Sequence, residues 1–264
     1  MKFNVSLNYI MTIYLDNNIF IYLENGSLSI SDIENIVDGN IEAIFFSSAH
    51  IEETLEIKGS TEQERQKRVN ERLNTIEKIT KSNYLYQDLL QNNVFKKIEK
   101  PTTVLNTITE VTFAQSAMKG LANLITEEQK EQTRNFLGLE TTRLNNYKPE
   151  EVVEHLNKKL THLGEGYTFL RMIELGISYH PDGKSFGLSN RIAGIFEILD
   201  MFGYWKDKYN AKSNYARLWD SYHTFFASFC DYFISDDRRT RNKSRVVYDI
   251  YNIKTEIISS KSEE

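Results

Sequence analysis

The chain has 264 residues, enough for one large domain or one domain carrying a sizeable insertion, and its 40% hydrophobic content supplies a core. Three prolines and twelve glycines exclude a low-complexity chain. A formal charge of −5 excludes general attraction to nucleic acid, so such a partner needs a local basic patch.

In chain order, MTIYL (11–15) reads as a short buried strand, and Asp16-Asn17-Asn18 open a helix through Ile19–Leu23 that Asn25-Gly26 stops. Ser31-Asp32 cap a second helix towards Val37, and Asp38-Gly39-Asn40 make a turn. IEAIFF (41–46) is the second strand, with a helix starting near Ser47 or Ser48. Strand, helix, helix, strand, helix is the rhythm of a parallel α/β sheet. From Glu56 to Asn210 the pattern turns mainly helical. Val69, Leu73 and Ile76 mark one apolar face, and a weaker stripe of Thr, Ala and Leu covers 104–123. Helical stretches follow at Glu127–Phe136, Glu150–Leu160, Tyr167–Leu175 and Arg191–Phe202, punctuated by Gly164, a Pro181-Asp182-Gly183 turn and Gly203. The α/β rhythm returns with a helix over 214–230, a strand YFIS (232–235), a basic helix over 237–246 and a last strand IKTEIIS (253–259). The expected architecture is thus an α/β domain built from residues 1–58 and 211–264, interrupted by a helical insertion at 59–210.

No apolar run is long enough to span a bilayer, and MKFNVSLNYIMTIYL is too polar for a secretory signal. Met11 is a candidate alternative start. Cys230, the one cysteine, reads as a buried apolar residue beside Phe229, which suits a cytoplasmic setting.

Asp16, Glu53, Asp220, Asp236 and Asp237 lie where strands end or the neighbouring helices begin. In a parallel α/β sheet that placement brings them to one rim, where such folds put ligands. Crowded carboxylates repel one another without a cation, and Mg²⁺ or Mn²⁺ prefers oxygen ligands. The pattern therefore points to a metal-dependent hydrolase with a phosphodiester substrate.

Four short motifs carry a resemblance. IYLDNNIF is an apolar strand ending in Asp16, and SSAHIEE places Glu53 six residues after Ser47. DSYHTFFASFCDYF has Asp220 opening an aromatic-rich helix, and Ser235-Asp236-Asp237 ends a strand. In this order they resemble the PIN-domain nucleases over about residues 10–58 and 212–260. The resemblance implies a three-layer α/β/α sandwich with a central parallel sheet, and one or two Mg²⁺ or Mn²⁺ ions held by Asp16, Asp220 and Asp237, with Glu53 as fourth acid and Asp236 as rival to Asp237. Asn17, Ser235 and His223 would support that site. Arg238, Arg239, Arg241 and Lys243, from RRTRNKSR, are the candidate nucleic-acid contacts. RNA stands ahead of DNA by family analogy alone. Such nucleases are often toxins or defence effectors held in check by a protein partner, so the insertion is a candidate surface for a partner or a second copy of the chain. The long insertion departs from compact family members.

Two rivals remain. Arg217 and His223 satisfy the R-x4-6-H spacing of the helical, metal-independent HEPN ribonucleases. A non-catalytic α/β module binding RNA or protein is the other.

Overall fold

A computed structural model describes residues 10–88, 93–108, 125–178, 187–208 and 211–261. Six strands form one sheet: β1 (Ile10–Leu15), β2 (Asn40–Ser47), β3 (Asn83–Asp88), β4 (Asn93–Ile98), β5 (Tyr232–Ile234) and β6 (Glu256–Ile258). Their spatial order is β4-β3-β2-β1-β5-β6, and every pairing is parallel except the β3–β4 hairpin. β1 is central. Asp231 pins it to β5 through its Oδ2, which accepts hydrogen bonds of 2.7 Å from both the backbone N–H and the hydroxyl of Thr12.

The strand period of two sorts the core into two layers. Tyr14, Phe45, Leu85, Phe233 and Ile257 face one side, where they join the apolar residues of helices α6 (Glu127–Leu137), α8 (Pro149–Leu160), α9 (Phe169–Ser178), α10 (Gly187–Phe202), α11 (Ala211–Ala227) and α12 (Arg238–Tyr251). A single turn, α7 (Thr141–Leu144), adds Leu144. Ile13, Leu15, Ile44, Phe46, Tyr84 and Ile234 face the other side, under α1 (Asn17–Asn25), α2 (Ile30–Val37), α4 (Glu62–Thr80) and α5 (Pro101–Ile108). The helix α3 (Ser48–Leu55) gives Ala49 to the first layer and Ile51 to the second. The expected three-layer α/β/α arrangement is what the chain adopts.

The span 59–210 differs from expectation in two ways. Asn83–Asp88 and Asn93–Ile98 are strands that extend the sheet beyond β2. Its described helices also share both cores with the sheet: α4 and α5 cover one face, and α6 to α10 cover the other. The local pattern of α4 is helical enough to read from sequence, whereas the β hairpin depends on pairing with a strand 36 residues earlier. The stripe expected at 104–123 is described only to Ile108, and the Pro181–Gly183 turn lies outside the described residues.

One end signal acts as expected and a second lies two residues earlier than expected. Gly26 takes the left-handed conformation (φ 77°) that closes α1. Ser29, rather than Ser31, caps α2, and its side chain and that of Asp32 exchange hydrogen bonds with the opposite backbone N–H groups in a capping box. No helix among the described residues is long and apolar enough to cross a membrane.

Candidate active site at the carboxyl rim of the sheet

Tyr14, Asp16, Ser47 and Ser235 share the strand parity of the α11 face, so the ends of β1, β2 and β5 deliver them to one place. Asp16 is buried there. It caps α1, accepting from the Asn17 N–H through Oδ1 at 2.8 Å. Its Oδ2 accepts from Asn18 Nδ2 at 2.6 Å and Ser235 Oγ at 2.5 Å. Ser235 Oγ also accepts the Asp237 N–H at 3.2 Å, tying the first and fourth motifs together.

Asp237 begins α12 as its cap: its Oδ1 accepts from the N–H groups of Arg239 (2.7 Å) and Thr240 (3.1 Å). Its Oδ2 is unengaged among the described residues. Asp220 departs from expectation. Helix α11 starts at Ala211, so Asp220 lies in its third turn and cannot serve as a cap. Its carboxylate has no hydrogen-bond or ion-pair partner among the described residues, and it keeps partial solvent contact. Burial raises its pKa well above the ordinary carboxylate value, with Asp16, Asp237 and Asp207 adding to the rise and Lys243 opposing it. The Asp16 pKa is raised as well, first by burial and further by Glu53, against the opposing charge of His223. Both carboxylates are raised first by burial and only then by the neighbouring acids.

Glu53 joins through α11. His223 Nε2 donates to Glu53 Oε2 at 3.0 Å, one turn after Asp220 on the same helix face. His223 Nδ1 meets the Tyr14 hydroxyl at 2.9 Å, and that hydroxyl meets Ser47 Oγ at 2.6 Å. Burial opposes the charged imidazole of His223, but hydrogen bonding and charge from Glu53, helped by Asp16, raise its pKa. The neighbouring His50 is fixed differently. Its Nε2 faces the Leu15 carbonyl at 2.7 Å, which can only accept, and its Nδ1 faces the Ser47 N–H at 3.1 Å, which can only donate. His50 is therefore the neutral Nε2–H tautomer, and its burial lowers its pKa well below the usual value.

Asp16, Glu53, Asp220 and Asp237, with His223 and Ser235, are thus gathered at one rim. Other expected residues are not. Asp236 turns towards the end of β6, where Ser259 Oγ (2.9 Å), Ser260 N–H and Oγ (both 2.8 Å) and Lys261 (3.3 Å) hold it. Its adjacency to Asp237 in sequence sends the two carboxylates in different directions. Asn17 Oδ1 accepts from Arg72 Nη1 at 3.0 Å, which makes it a tie between α1 and α4.

The basic run is also reassigned. Arg241 is buried and donates to the Ser235 carbonyl at 2.8 Å. Lys243 is 1% exposed, with Nζ 3.1 Å from Asp207 and 3.6 Å from Asp200. Helical periodicity turns these two into the core, so neither is a surface contact for nucleic acid. Arg238 is exposed and Arg239 is partly so. Arg217, also 1% exposed, is held by Glu197 at 2.8 and 2.9 Å, Asp200 at 3.1 Å and Asp207 at 3.4 Å. The Arg217 and His223 of the metal-independent alternative therefore share no partner.

Sequence reasoning missed Tyr14, Asn18, Asp200 and Asp207. Tyr14 was legible, since a strand puts it two residues before Asp16 on the same face. Nothing local marks Asp207 in YWKDK.

The donor set suits a hard divalent cation: carboxylate oxygens from Asp16, Asp220 and Asp237, with Glu53 Oε1 also unengaged among the described residues. Among the described residues no three histidine, cysteine or carboxylate side chains already form a group that could hold a metal ion. Compared with known proteins, the chain matches no family model, no curated protein and no solved structure.

Proposed function

We propose that this protein is a divalent-cation-dependent phosphodiester hydrolase of PIN-like type, acting on RNA ahead of DNA. The observation that carries the reading is Asp220. A carboxylate in the middle of a helix that feels the charges of Asp16 and Asp237, and has no ion-pair partner among the described residues, costs stability unless something positive binds there. The four motif resemblances add to it.

In this reading Asp16, Asp220 and Asp237 would hold Mg²⁺ or Mn²⁺, which would stabilise charge on the phosphoryl oxygens and lower the pKa of a bound water. The protein's own contribution is positioning. Ser235 and Asn18 fix the Asp16 carboxylate, and the α12 backbone fixes Asp237 through Oδ1 while leaving Oδ2 towards the rim. His223 holds Glu53, and Tyr14, itself bonded to Ser47, holds His223, so the fourth acid has one orientation. Such prior ordering removes reorganisation from the reaction step.

Incubation with labelled RNA and DNA in Mg²⁺, Mn²⁺ or EDTA tests this. Wild type should cleave only with metal, and Asp16→Asn, Asp220→Asn and Asp237→Asn should each lose about 100-fold or more in rate. Cleavage that survives EDTA, or that persists unchanged in the three variants, would refute the site.

A further inference from the structure

The loop after α10 and the start of α12 build a second feature beside the acidic rim. Arg238 Cζ sits 4.7 Å from the ring centroid of Trp205, so the guanidinium lies over the indole. Arg238 is exposed, and it follows Asp237, the cap of α12, directly in the chain. Asp207, two residues after Trp205, is among the charges felt by Asp220 and lies 3.9 Å from Arg239 Nε. The feature thus adjoins Asp237 along the chain, and Arg239 ties the start of α12 to Asp207 in the loop.

Trp205 is held in an uncommon way. Its φ of 44° is in the left-handed region, which a bulky side chain rarely adopts. Its backbone N–H donates to Asn145 Oδ1 at 2.7 Å, anchoring the loop to α7. Strain kept at a partly exposed aromatic beside a candidate active site is the pattern seen where a side chain must be aimed. Lys206 and Lys208 flank it on the surface, and Arg239 adds a third positive charge. Lys206 also reaches Glu127 at 3.3 Å while remaining 42% exposed.

We infer that Trp205 and Arg238 form a base-stacking platform that admits single-stranded nucleic acid to the acidic rim. This rests on the phosphodiesterase reading and narrows its substrate to unpaired strands. A guanidinium plane backed by an indole offers a flat cationic surface, and it loses little freedom when a base is laid upon it. Unpaired bases have exposed faces to stack there, whereas a duplex keeps its faces inside. Lys206, Lys208 and Arg239 draw the phosphate backbone alongside. The platform also explains how a chain of net negative charge recruits a polyanion to a rim of carboxylates.

The test is equilibrium binding in EDTA, so that cleavage does not intervene. Fluorescence anisotropy would compare wild type, Trp205→Leu, Arg238→Gln and Arg238→Lys on a single-stranded RNA, its duplex, and an abasic strand of equal length. Wild type should prefer the single strand to both the duplex and the abasic strand. Trp205→Leu and both Arg238 variants should each lose about tenfold on the single strand, and much less on the abasic strand. Arg238→Lys keeps the charge without the plane, so affinity equal to wild type would overturn stacking, as would equal binding of duplex and single strand. Should Trp205→Leu unfold in a thermal melt, Arg238→Lys still decides. Wild type that cleaves RNA with metal while the variants bind normally would refute the platform alone. Wild type that neither binds nor cleaves would refute both readings.

Discussion

Two groups of buried and half-buried carboxylates have opposite electrostatics. At the rim, Asp16 and Asp220 have raised pKa values and face further acids. Behind it, Asp200 and Asp207 are surrounded by cations: Lys130 at 2.7 Å, Arg217 at 3.1 Å and Lys243 at 3.6 Å from Asp200, with Lys243 and Arg217 also on Asp207. Burial alone would raise Asp200, but Lys243, Arg217 and Lys130 hold it far below the usual carboxylate range. The difference separates structural from functional acidity. A carboxylate network matched by cations ties α6, α10, α11 and α12 together, while the rim set has no such match among the described residues, as the proposed cation site requires.

The largest expected effect falls on the matched group. Asp200→Ala leaves Lys130, Lys243 and Arg217 buried with too little negative charge, and should lower stability by about 3–5 kcal/mol. A urea unfolding curve measures this, and a loss under about 1 kcal/mol would place Asp200 with ordinary surface pairs. Asp220→Asn should behave in the opposite way. Removing one repelling charge should leave the thermal midpoint unchanged or raise it by about 2–4 °C, while cleavage is lost. Mn²⁺ should raise the midpoint of wild type more than that of Asp220→Asn. A variant destabilised as severely as Asp200→Ala would erase the distinction between the two groups.

The pH dependence sharpens the same contrast through its sign. Asp200 has a lowered folded-state pKa, so its contribution is present above the unfolded carboxylate value of about 4 and is lost as pH falls through the folded value. Asp220 has a raised folded-state pKa, so its contribution is favourable at low pH and is lost as pH climbs from about 4 towards the folded value. Stability measured from pH 3 to pH 8, on the order of that carboxylate window, should show Asp200→Asn flattening the acid limb and Asp220→Asn flattening the fall on the other side. Both substitutions acting on one limb would break the comparison.

How much of this was legible follows from which interactions are local. Asp16 could be read directly, because an apolar strand, an Asp and two Asn residues form a continuous signal. Ser47 and Glu53 followed from their spacing, and the parallel α/β sheet from the strand-helix rhythm at the two ends of the chain. Asp220 was placed on the right helix but at the wrong point in it, because α11 begins well before it, at Ala211. Of the RRTRNKSR residues read as nucleic-acid contacts, Arg241 and Lys243 are buried. Sequence shows their charge, but the partners that draw Lys243 inward, Asp200 and Asp207, lie 43 and 36 residues away. The β3–β4 hairpin escaped for the same reason, as a short strand inside a helical region depends on its neighbour.

Asp236 gives the smallest effect and the finest test of the boundary. It neighbours Asp237 in sequence but belongs to neither group. Burial would raise its pKa, yet hydrogen bonds from Ser260 and Ser259, and from Lys261, lower it. Asp236→Asn retains the shape and some acceptor capacity while removing the charge that these donors favour. It should lower stability by about 1 kcal/mol and leave the cleavage rate of wild type intact, because its carboxylate points to the end of β6 and not to Asp16. Rate measurements on Asp236→Asn and Asp237→Asn at saturating Mn²⁺ decide between the adjacent pair. Equal losses would mean that both acids serve the rim, and a loss confined to Asp236→Asn would exchange their roles.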